Sequence, residues 1–205
     1  MGFVLDLHLH TQRHSRCSRI NELRLIDRAI QRGLDGLVIT EHHYQWPQAE
    51  LDELLAQANA PGFVLLSAFE YSSSKGDILV YGLQPEATKE FVPGGEPEKM
   101  LAKARAMGAV CIAAHPTRAE ISFDERILKM PFDALEIESV NLQPHEQRLA
   151  KKLAESLKIP PTGSSDAHRI EDVGAYATEF QGPVLSMADL QAALRHGTFR
   201  PAGKR

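Results

Sequence analysis

The sequence predicts an α/β protein whose mainly parallel sheet is closed, or nearly closed, into a barrel. Two observations support this fold class. Short apolar segments typical of strands alternate with amphipathic helical segments from end to end, as they do in βαβ units. About seven such units fit into 205 residues, a length that suits one domain with a sizeable core, so a single domain spanning residues 1–205 is expected.

The first half of the chain alternates in this way. Asn21 is a suitable N-cap for a first helix, whose apolar face carries Leu23, Ile26 and Ile30. Pro47 suits the first turn of a second helix over residues 47–59. Residues 72–76 form a polar turn before the fourth strand, which favours a hairpin between strands three and four. The predicted strands are residues 3–8, 36–40, 63–69 and 78–83.

The second half continues the alternation after an irregular loop over residues 84–97, which is interpreted as a surface loop or a mobile flap. Leucines at a spacing of four predict a helix over residues 144–157, and Pro160 and Pro161 end it. Ser186 caps a closing helix over residues 187–195, and Gly197 stops it. The other predicted elements are a helix at 96–107 and extended segments at 109–114, 134–137, 162–165 and 175–180.

Composition excludes several classes of function. The net charge is −4 and no basic patch occurs, so nucleic acid is not the expected partner. No apolar run approaches the roughly 20 residues of a membrane span, and no signal peptide is evident. Cys17 and Cys111 are too few for a disulfide framework, so a reducing cytoplasm is the expected location.

Polar side chains collect at the carboxyl ends of the predicted strands. His8 and His10 are two residues apart in an extended run, so they point to the same side, as needed to hold one metal ion. In parallel α/β barrels this rim is where ligands bind. Imidazole with carboxylate favours Zn²⁺, Mn²⁺ or Fe²⁺ over Ca²⁺. The other candidate donors at strand ends are His42, Glu70, Asp77, His115, Asp166 and His168.

These donors exceed what one ion can use, so two or three divalent ions are expected, with a carboxylate such as Glu70 bridging them. A cluster of this kind binds phosphate oxygens and lowers the pKa of a bound water towards neutrality. The predicted chemistry is therefore hydrolysis by a metal-activated water.

The candidate donors fall into four ordered motifs, which are Asp6-Leu7-His8-Leu9-His10-Thr11, Thr40-Glu41-His42, Ala114-His115-Pro116 and Ser165-Asp166-Ala167-His168. This ordered set resembles the PHP superfamily, named for polymerase and histidinol phosphatase, over about residues 3–200. The resemblance implies a distorted (β/α)7 barrel, with phosphoesterase activity at a trinuclear metal site. It also implies a ligand set for each ion. The first ion would take His8, His10, Glu70 and Asp166; the second Glu70, His115 and a donor near strand four; and the third His42, His168 and a donor from the loop after strand one.

The sequence departs from the family pattern in three places. Glu41 replaces the usual Asp, and its longer side chain can still hydrogen-bond a ligand histidine. Asp77 replaces a common histidine, which favours Mn²⁺ over Zn²⁺. In the loop after strand one, His14 or Cys17 could supply the third ion's remaining donor, or neither could, so both two and three ions remain open.

The resemblance favours a metal-dependent hydrolase that cleaves a small phosphomonoester, such as histidinol phosphate, a nucleotide or a sugar phosphate. Asp166 and His168 are the candidate catalytic residues, the first to orient a water and the second to handle a proton. Arg118, three residues after His115, is placed to reach a phosphate oxygen, and Glu138 is expected to line the substrate pocket.

Two alternatives remain. The same metal chemistry supports phosphodiesterase or exonuclease-like activity on nucleic acid, for which Tyr44 and Trp46 offer the stacking surface near the second motif. The other alternative is a metal-free, non-catalytic PHP domain, against which the joint presence of the candidate ligands argues.

Overall fold

A computed structural model describes residues 2–205 as nine strands and five α-helices. The strands are β1 (Phe3–Asp6), β2 (Gly36–His42), β3 (Val64–Ser72), β4 (Asp77–Tyr81), β5 (Val110–Ala114), β6 (Ala134–Glu138), β7 (Pro161–Gly163), β8 (Thr178–Phe180) and β9 (Phe199–Pro201). The helices are α1 (Glu22–Gln31), α2 (Gln48–Ala58), α3 (Pro97–Ala106), α4 (Pro144–Leu157) and α5 (Met187–His196).

All nine strands belong to one sheet in the order β7-β6-β5-β4-β3-β2-β1-β8-β9. The β1–β2–β3 and β5–β6–β7 neighbours are parallel, whereas β4 runs antiparallel to both β3 and β5. The predicted hairpin of strands three and four is therefore confirmed. Because β4 is reversed, its first residue, Asp77, lies at the same rim as the last residues of β3 and β5.

The sheet curls into a nearly closed barrel whose seam lies between β7 and the β8–β9 pair. Thr178, the first residue of β8, bridges this seam to Gly163, the last residue of β7. Its hydroxyl donates to the Gly163 carbonyl oxygen over 2.8 Å and accepts from the Gly163 N–H over 3.2 Å. A side chain thus supplies hydrogen bonds that a continuous ladder would supply elsewhere in the sheet.

The core has three parts. The interior of the barrel is filled by alternate residues of the strands, among them Leu5, Leu66 and Ile112, and α5 contributes Leu190 and Leu194 to the same cluster. A second cluster packs α1 and α2 against one part of the outer face of the sheet, and a third packs α3 and α4 against another part of that face. The wall of the barrel is therefore buried on both faces over most of its length.

Several element boundaries agree with the sequence, because the capping residues act as predicted. Asn21 accepts from the Arg24 N–H at the start of α1, and Ser186 accepts from the Asp189 N–H at the start of α5. Two expectations need correction. The extended segment predicted at 175–180 is a strand only over Thr178–Phe180, and the loop at 84–97 contains a 3₁₀ turn at Pro85–Glu90. Among residues 2–205 no helix has the length and apolar character needed to cross a membrane.

Candidate metal centre

Two acidic side chains of the centre, Glu70 and Glu136, continue rows of residues that face the barrel interior. On β3, Glu70 follows the interior residues Leu66 and Ala68 at alternate positions. On β6, Glu136 follows Ala134 in the same way. The apolar interior thus ends, towards the carboxyl rim, in a layer of buried carboxylates.

The histidines of the first motif lie just beyond β1. His10 donates its backbone N–H to the Ala167 carbonyl oxygen over 3.1 Å, so this segment lies beside the fourth motif. The buried carboxylate of Asp6 accepts from the backbone N–H groups of Ser165 and Gly174, over 2.9 Å and 3.1 Å. These hydrogen bonds hold the first and fourth motifs together without the help of a metal ion.

Glu70 is the carboxylate that four imidazoles share. Its Oε1 lies 3.5 Å from His8 Nε2 and 3.2 Å from His115 Nε2. Its Oε2 lies 3.3 Å from His10 Nε2 and 3.0 Å from His42 Nδ1. This central placement is the one expected of a bridging carboxylate.

Asp166 approaches the same histidines from the opposite loop. Its Oδ1 lies 3.3 Å from His8 Nε2 and 3.5 Å from His10 Nε2. Asn141 donates from Nδ2 to both the side-chain Oδ2 and the carbonyl oxygen of Asp166, each over 2.8 Å. His168 Nδ1 lies 3.0 Å from that carbonyl oxygen, which can only accept, so Nδ1 carries a proton and Nε2 carries the lone pair in neutral His168.

The eight predicted ligands form four overlapping groups of three, and within each group the donor atoms lie within 4.8 Å of one another. The groups are His8, His10 and Glu70; His8, His115 and Asp166; Glu70, Asp77 and His115; and His10, His42 and His168. The structure therefore brings together every residue that the sequence predicts as a ligand. In the all-histidine group, His10 takes the place of the donor expected from the loop after strand one. Metal binding by these residues stays a prediction.

The arrangement fits divalent metal ions. His8 Nε2 and His10 Nε2 lie only 3.2 Å apart, so a proton or a cation must separate their lone pairs. Asp77 Oδ1 is buried and has no hydrogen-bond partner among residues 2–205. Mixed imidazole and carboxylate donors suit Zn²⁺, Mn²⁺ and Fe²⁺. The mouth of the centre lies on the side of His42 and His168, whose side chains are 36% and 27% exposed.

The ionisation of the centre shows a surplus of buried negative charge. Burial would lower the pKa of His10, but hydrogen bonds to Asp166 and Glu70 outweigh it and raise that pKa to about 9. Burial would raise the pKa of Glu70, but His8 and His10 outweigh it and hold that pKa well below its usual range. Burial, and then the charge of Glu70, raises the pKa of Asp77 to about 6. Without metal, protonated imidazoles supply the positive charge that the carboxylates require.

The two histidines of the first motif are also held from outside the cluster. His8 Nδ1 lies 3.0 Å from Glu136 Oε1, and His10 Nδ1 lies 3.3 Å from Ser15 Oγ. Ser15 in turn donates to Glu41 Oε2 over 2.5 Å. Glu41 therefore acts on His10 through Ser15, rather than by the direct hydrogen bond to a ligand histidine that its length was expected to allow.

Two residues of the centre have strained backbones. His115 and Asp166 adopt φ angles of 28° and 51°, in the left-handed region that residues other than glycine seldom occupy. Both lie at the rim, where the chain leaves the sheet, and both turn their side chains into the cluster.

The loop after β1 does not place His14 in the cluster. The His14 ring stacks on Tyr44, with centroids 3.8 Å apart, and meets the edge of Trp46 at 4.8 Å. Trp46 is only 1% exposed, and its Nε1 donates to Glu41 Oε1 over 3.1 Å. Cys17 in the same loop is exposed.

The two predicted substrate-binding residues lie in different places. Arg118 is half-buried in the turn directly after His115, where its N–H donates to the His115 carbonyl oxygen over 3.0 Å. Glu138 packs against Gly163 at the barrel seam. Burial raises the pKa of Glu138, and the nearby Gly203 backbone offsets only part of that rise.

Three residues that support the centre were not predicted from the sequence: Glu136, Ser15 and Asn141. Glu136 is two residues after buried Ala134 on β6, so strand alternation places its side chain on the same, inward face. Ser15 and Asn141 lie in loops, and no local pattern marks them.

Comparisons with known proteins agree with this architecture. The model of a family described as PHP-associated matches residues 144–199. A search of curated proteins finds no match. Among solved structures, PsfC from Pseudomonas syringae is similar at a TM-score of 0.76 and 20% identity, over 100% of this chain and 93% of its own.

Two further solved structures share the fold. A protein assigned as a metal-dependent phosphoesterase, from Bifidobacterium adolescentis, has a TM-score of 0.62 and 15% identity, over 80% of this chain and 87% of its own. A lesion-specific endonuclease, EndoQ from Pyrococcus furiosus, has a TM-score of 0.67 and 16% identity, over 98% of this chain and 58% of its own. At these identities the likeness shows the fold.

Proposed function

Since the PHP-associated match and the shared fold together support membership of the PHP superfamily, we propose that this chain is a metal-dependent hydrolase that cleaves a small phosphomonoester. One observation carries the proposal. Eight histidine and acidic side chains converge in overlapping three-donor groups at the carboxyl rim of the barrel. Surface histidines with no shared role would not converge in this way.

Different residues of this chain would bind the metal ions and accept protons. The inner groups, built around Glu70, His8 and Asp166, would hold two ions, and the group of His10, His42 and His168 would hold a third. Bound divalent ions lower the pKa of water and neutralise charge that develops on a phosphoryl group. Neutral His168 carries its lone pair on Nε2, which would suit a metal ligand or a group that accepts a proton.

Arg118 is the residue proposed to bind the phosphate. It is half-buried in the turn that follows His115, and its charge is close enough to the Glu146 carboxylate to interact with it. A guanidinium in this turn can form a charge-assisted, bidentate contact with phosphate oxygens.

The aromatic residues near the second motif support a small substrate rather than nucleic acid. Trp46 is buried, and one face of Tyr44 is covered by His14. These rings therefore offer little surface on which bases could stack.

The test uses protein stripped with a chelator, with Mn²⁺, Zn²⁺, Fe²⁺ and Mg²⁺ returned one at a time. We expect at least one ion to restore hydrolysis of p-nitrophenyl phosphate. Asp166→Asn should remove most of that activity, whereas Lys204→Ala, an exposed change at the end of the chain, should preserve it. Hydrolysis of bis-p-nitrophenyl phosphate alone would replace the proposal with a phosphodiesterase, and no hydrolysis with any ion would refute it.

A further inference from the structure

We propose that Glu136 is a positioning residue that fixes the orientation and tautomer of His8 and the backbone of His115. The proposal rests on the metal-dependent function proposed above. Glu136 would touch neither substrate nor metal, and it would act only through these two histidines.

The geometry of Glu136 supports this role. The side chain is fully buried on β6, with 0% exposure. Its Oε1 lies 3.0 Å from His8 Nδ1, and its Oε2 accepts from the His115 backbone N–H over 2.9 Å. The two carboxylate oxygens therefore contact two different candidate ligands, one after β1 and one after β5.

The first contact decides which nitrogen of His8 is available to a metal. A carboxylate only accepts hydrogen bonds, so Nδ1 of His8 must carry a proton. Nε2 is then the nitrogen free to ligate a cation, and it faces Asp166 Oδ1 at 3.3 Å and Glu70 Oε1 at 3.5 Å. Carboxylates that pair in this way with ligand histidines orient the ring and increase its basicity.

The second contact stabilises a strained backbone. His115 has a φ of 28°, and such conformations persist only where the surroundings hold them. The bond from the His115 N–H to Glu136 supports this conformation. His115 Nε2 consequently stays 3.2 Å from Glu70 Oε1.

Glu136→Gln tests the proposal because the fixed His115 N–H dictates how the new amide must lie. The amide oxygen must face that N–H, so the amide NH₂ must face His8 Nδ1. Nδ1 then becomes the acceptor, and in neutral His8 the proton moves to Nε2, where it blocks the metal-binding lone pair. We expect the affinity for Zn²⁺ to fall by about 10- to 100-fold, the range measured when comparable histidine partners are removed.

Asp133→Asn is the matched control. Asp133 immediately precedes β6, and its Oδ2 accepts from the Cys111 N–H over 2.8 Å near the start of β5. Glu136 makes the equivalent contact to the residue that follows β5. Asp133 also pairs with Arg105 on the surface and contacts no histidine of the cluster. We expect Asp133→Asn to change stability without changing Zn²⁺ affinity.

Two readouts are measured on the full chain. Competition with a chromophoric chelator gives Zn²⁺ affinity, and ¹H–¹⁵N NMR of the histidine side chains gives the tautomer. The Zn²⁺-loaded wild type should show a His8 Nδ1–H that exchanges slowly with solvent, and this measurement needs no variant if Glu136→Gln does not fold. A missing His8 Nδ1–H signal, or wild-type Zn²⁺ affinity in Glu136→Gln, would overturn the proposal.

These outcomes are separate from a failure of the proposed function. A wild type that binds Zn²⁺ in a Glu136-dependent way but hydrolyses no phosphoester contradicts only the proposed function. A Glu136→Gln variant that binds Zn²⁺ normally while the wild type is an active phosphatase contradicts only the role of Glu136. A wild type that binds no metal contradicts both.

Discussion

Replacing Thr178 with valine tests whether one side chain closes the barrel. Thr178 is fully buried, and its hydroxyl both donates to and accepts from the backbone of Gly163 across the seam. Thr178→Val keeps the shape of the side chain but leaves a buried N–H and a buried carbonyl without these partners. Each unpaired group costs about 1–3 kcal/mol, and the added methyl returns about 1 kcal/mol of apolar burial.

The expected net loss is about 3 kcal/mol of unfolding free energy. For a chain of this length, that corresponds to a fall in Tm of about 6–12 °C. Urea unfolding followed by far-UV circular dichroism measures the free energy, on protein stripped of metal so that ligand binding does not mask the change.

Thr162→Val is the matched control for this experiment. Thr162 is also buried, on the neighbouring strand β7, but its hydroxyl donates only one long bond, 3.3 Å, to the Leu135 carbonyl oxygen. Its cost should stay near 1 kcal/mol. If Thr178→Val unfolds within about 0.5 kcal/mol of the wild type, with an unchanged urea dependence, then the seam is closed by other contacts and the reasoning is refuted.

Three further predictions concern other parts of the chain. Glu146 accepts from the Gln143 and Ala119 N–H groups, which outweigh burial and lower its pKa below the usual 4.5. The ionised carboxylate therefore stabilises the fold above pH 4.5, and this contribution is lost as the pH falls through the lowered pKa. Glu146→Gln should lower the unfolding free energy in urea by about 1 kcal/mol at pH 7 and by less at pH 3. An equal loss at both pH values would contradict this prediction. In metal-free protein a thiol reagent should label exposed Cys17 and should spare Cys111, whose thiol pKa is raised by burial, until urea is added. Mass spectrometry measures the order of labelling, and labelling of Cys111 first would contradict this prediction. Zn²⁺ at 100 times its Kd should stabilise the metal-free protein by about 2.7 kcal/mol in thermal unfolding, and a chelator should reverse this stabilisation. An unchanged Tm would argue against a metal site.

Most of the barrel could be predicted from the sequence, because its strands are short apolar runs between capped helices. The antiparallel direction of β4 could also be predicted, because the polar turn at residues 72–76 is too short for a crossover helix. Strand β9 was missed because three residues, Phe199 to Pro201, carry no alternation, and only pairing with β8 makes them a strand. Short edge strands depend on tertiary contacts that local patterns do not encode.

The candidate ligands could be predicted because each lies at a strand end in a recognisable motif. The surroundings of the ligands could not. His14 looks like a donor in the sequence, and only the packing of its ring on Tyr44 removes it from the cluster. Glu136 was passed over for Glu138, which lies nearer the end of its strand but at the seam, against Gly163.

The left-handed backbones of His115 and Asp166 imply a trade-off between stability and activity. Glycine would relieve strain of about 1–3 kcal/mol at each position, while deleting a side chain from the cluster. Selection for thermostability alone would therefore favour glycine at these two sites. The chain would then keep its fold but lose two of its candidate metal ligands. A stabilised derivative of this protein is best sought elsewhere, in its helices and outer loops.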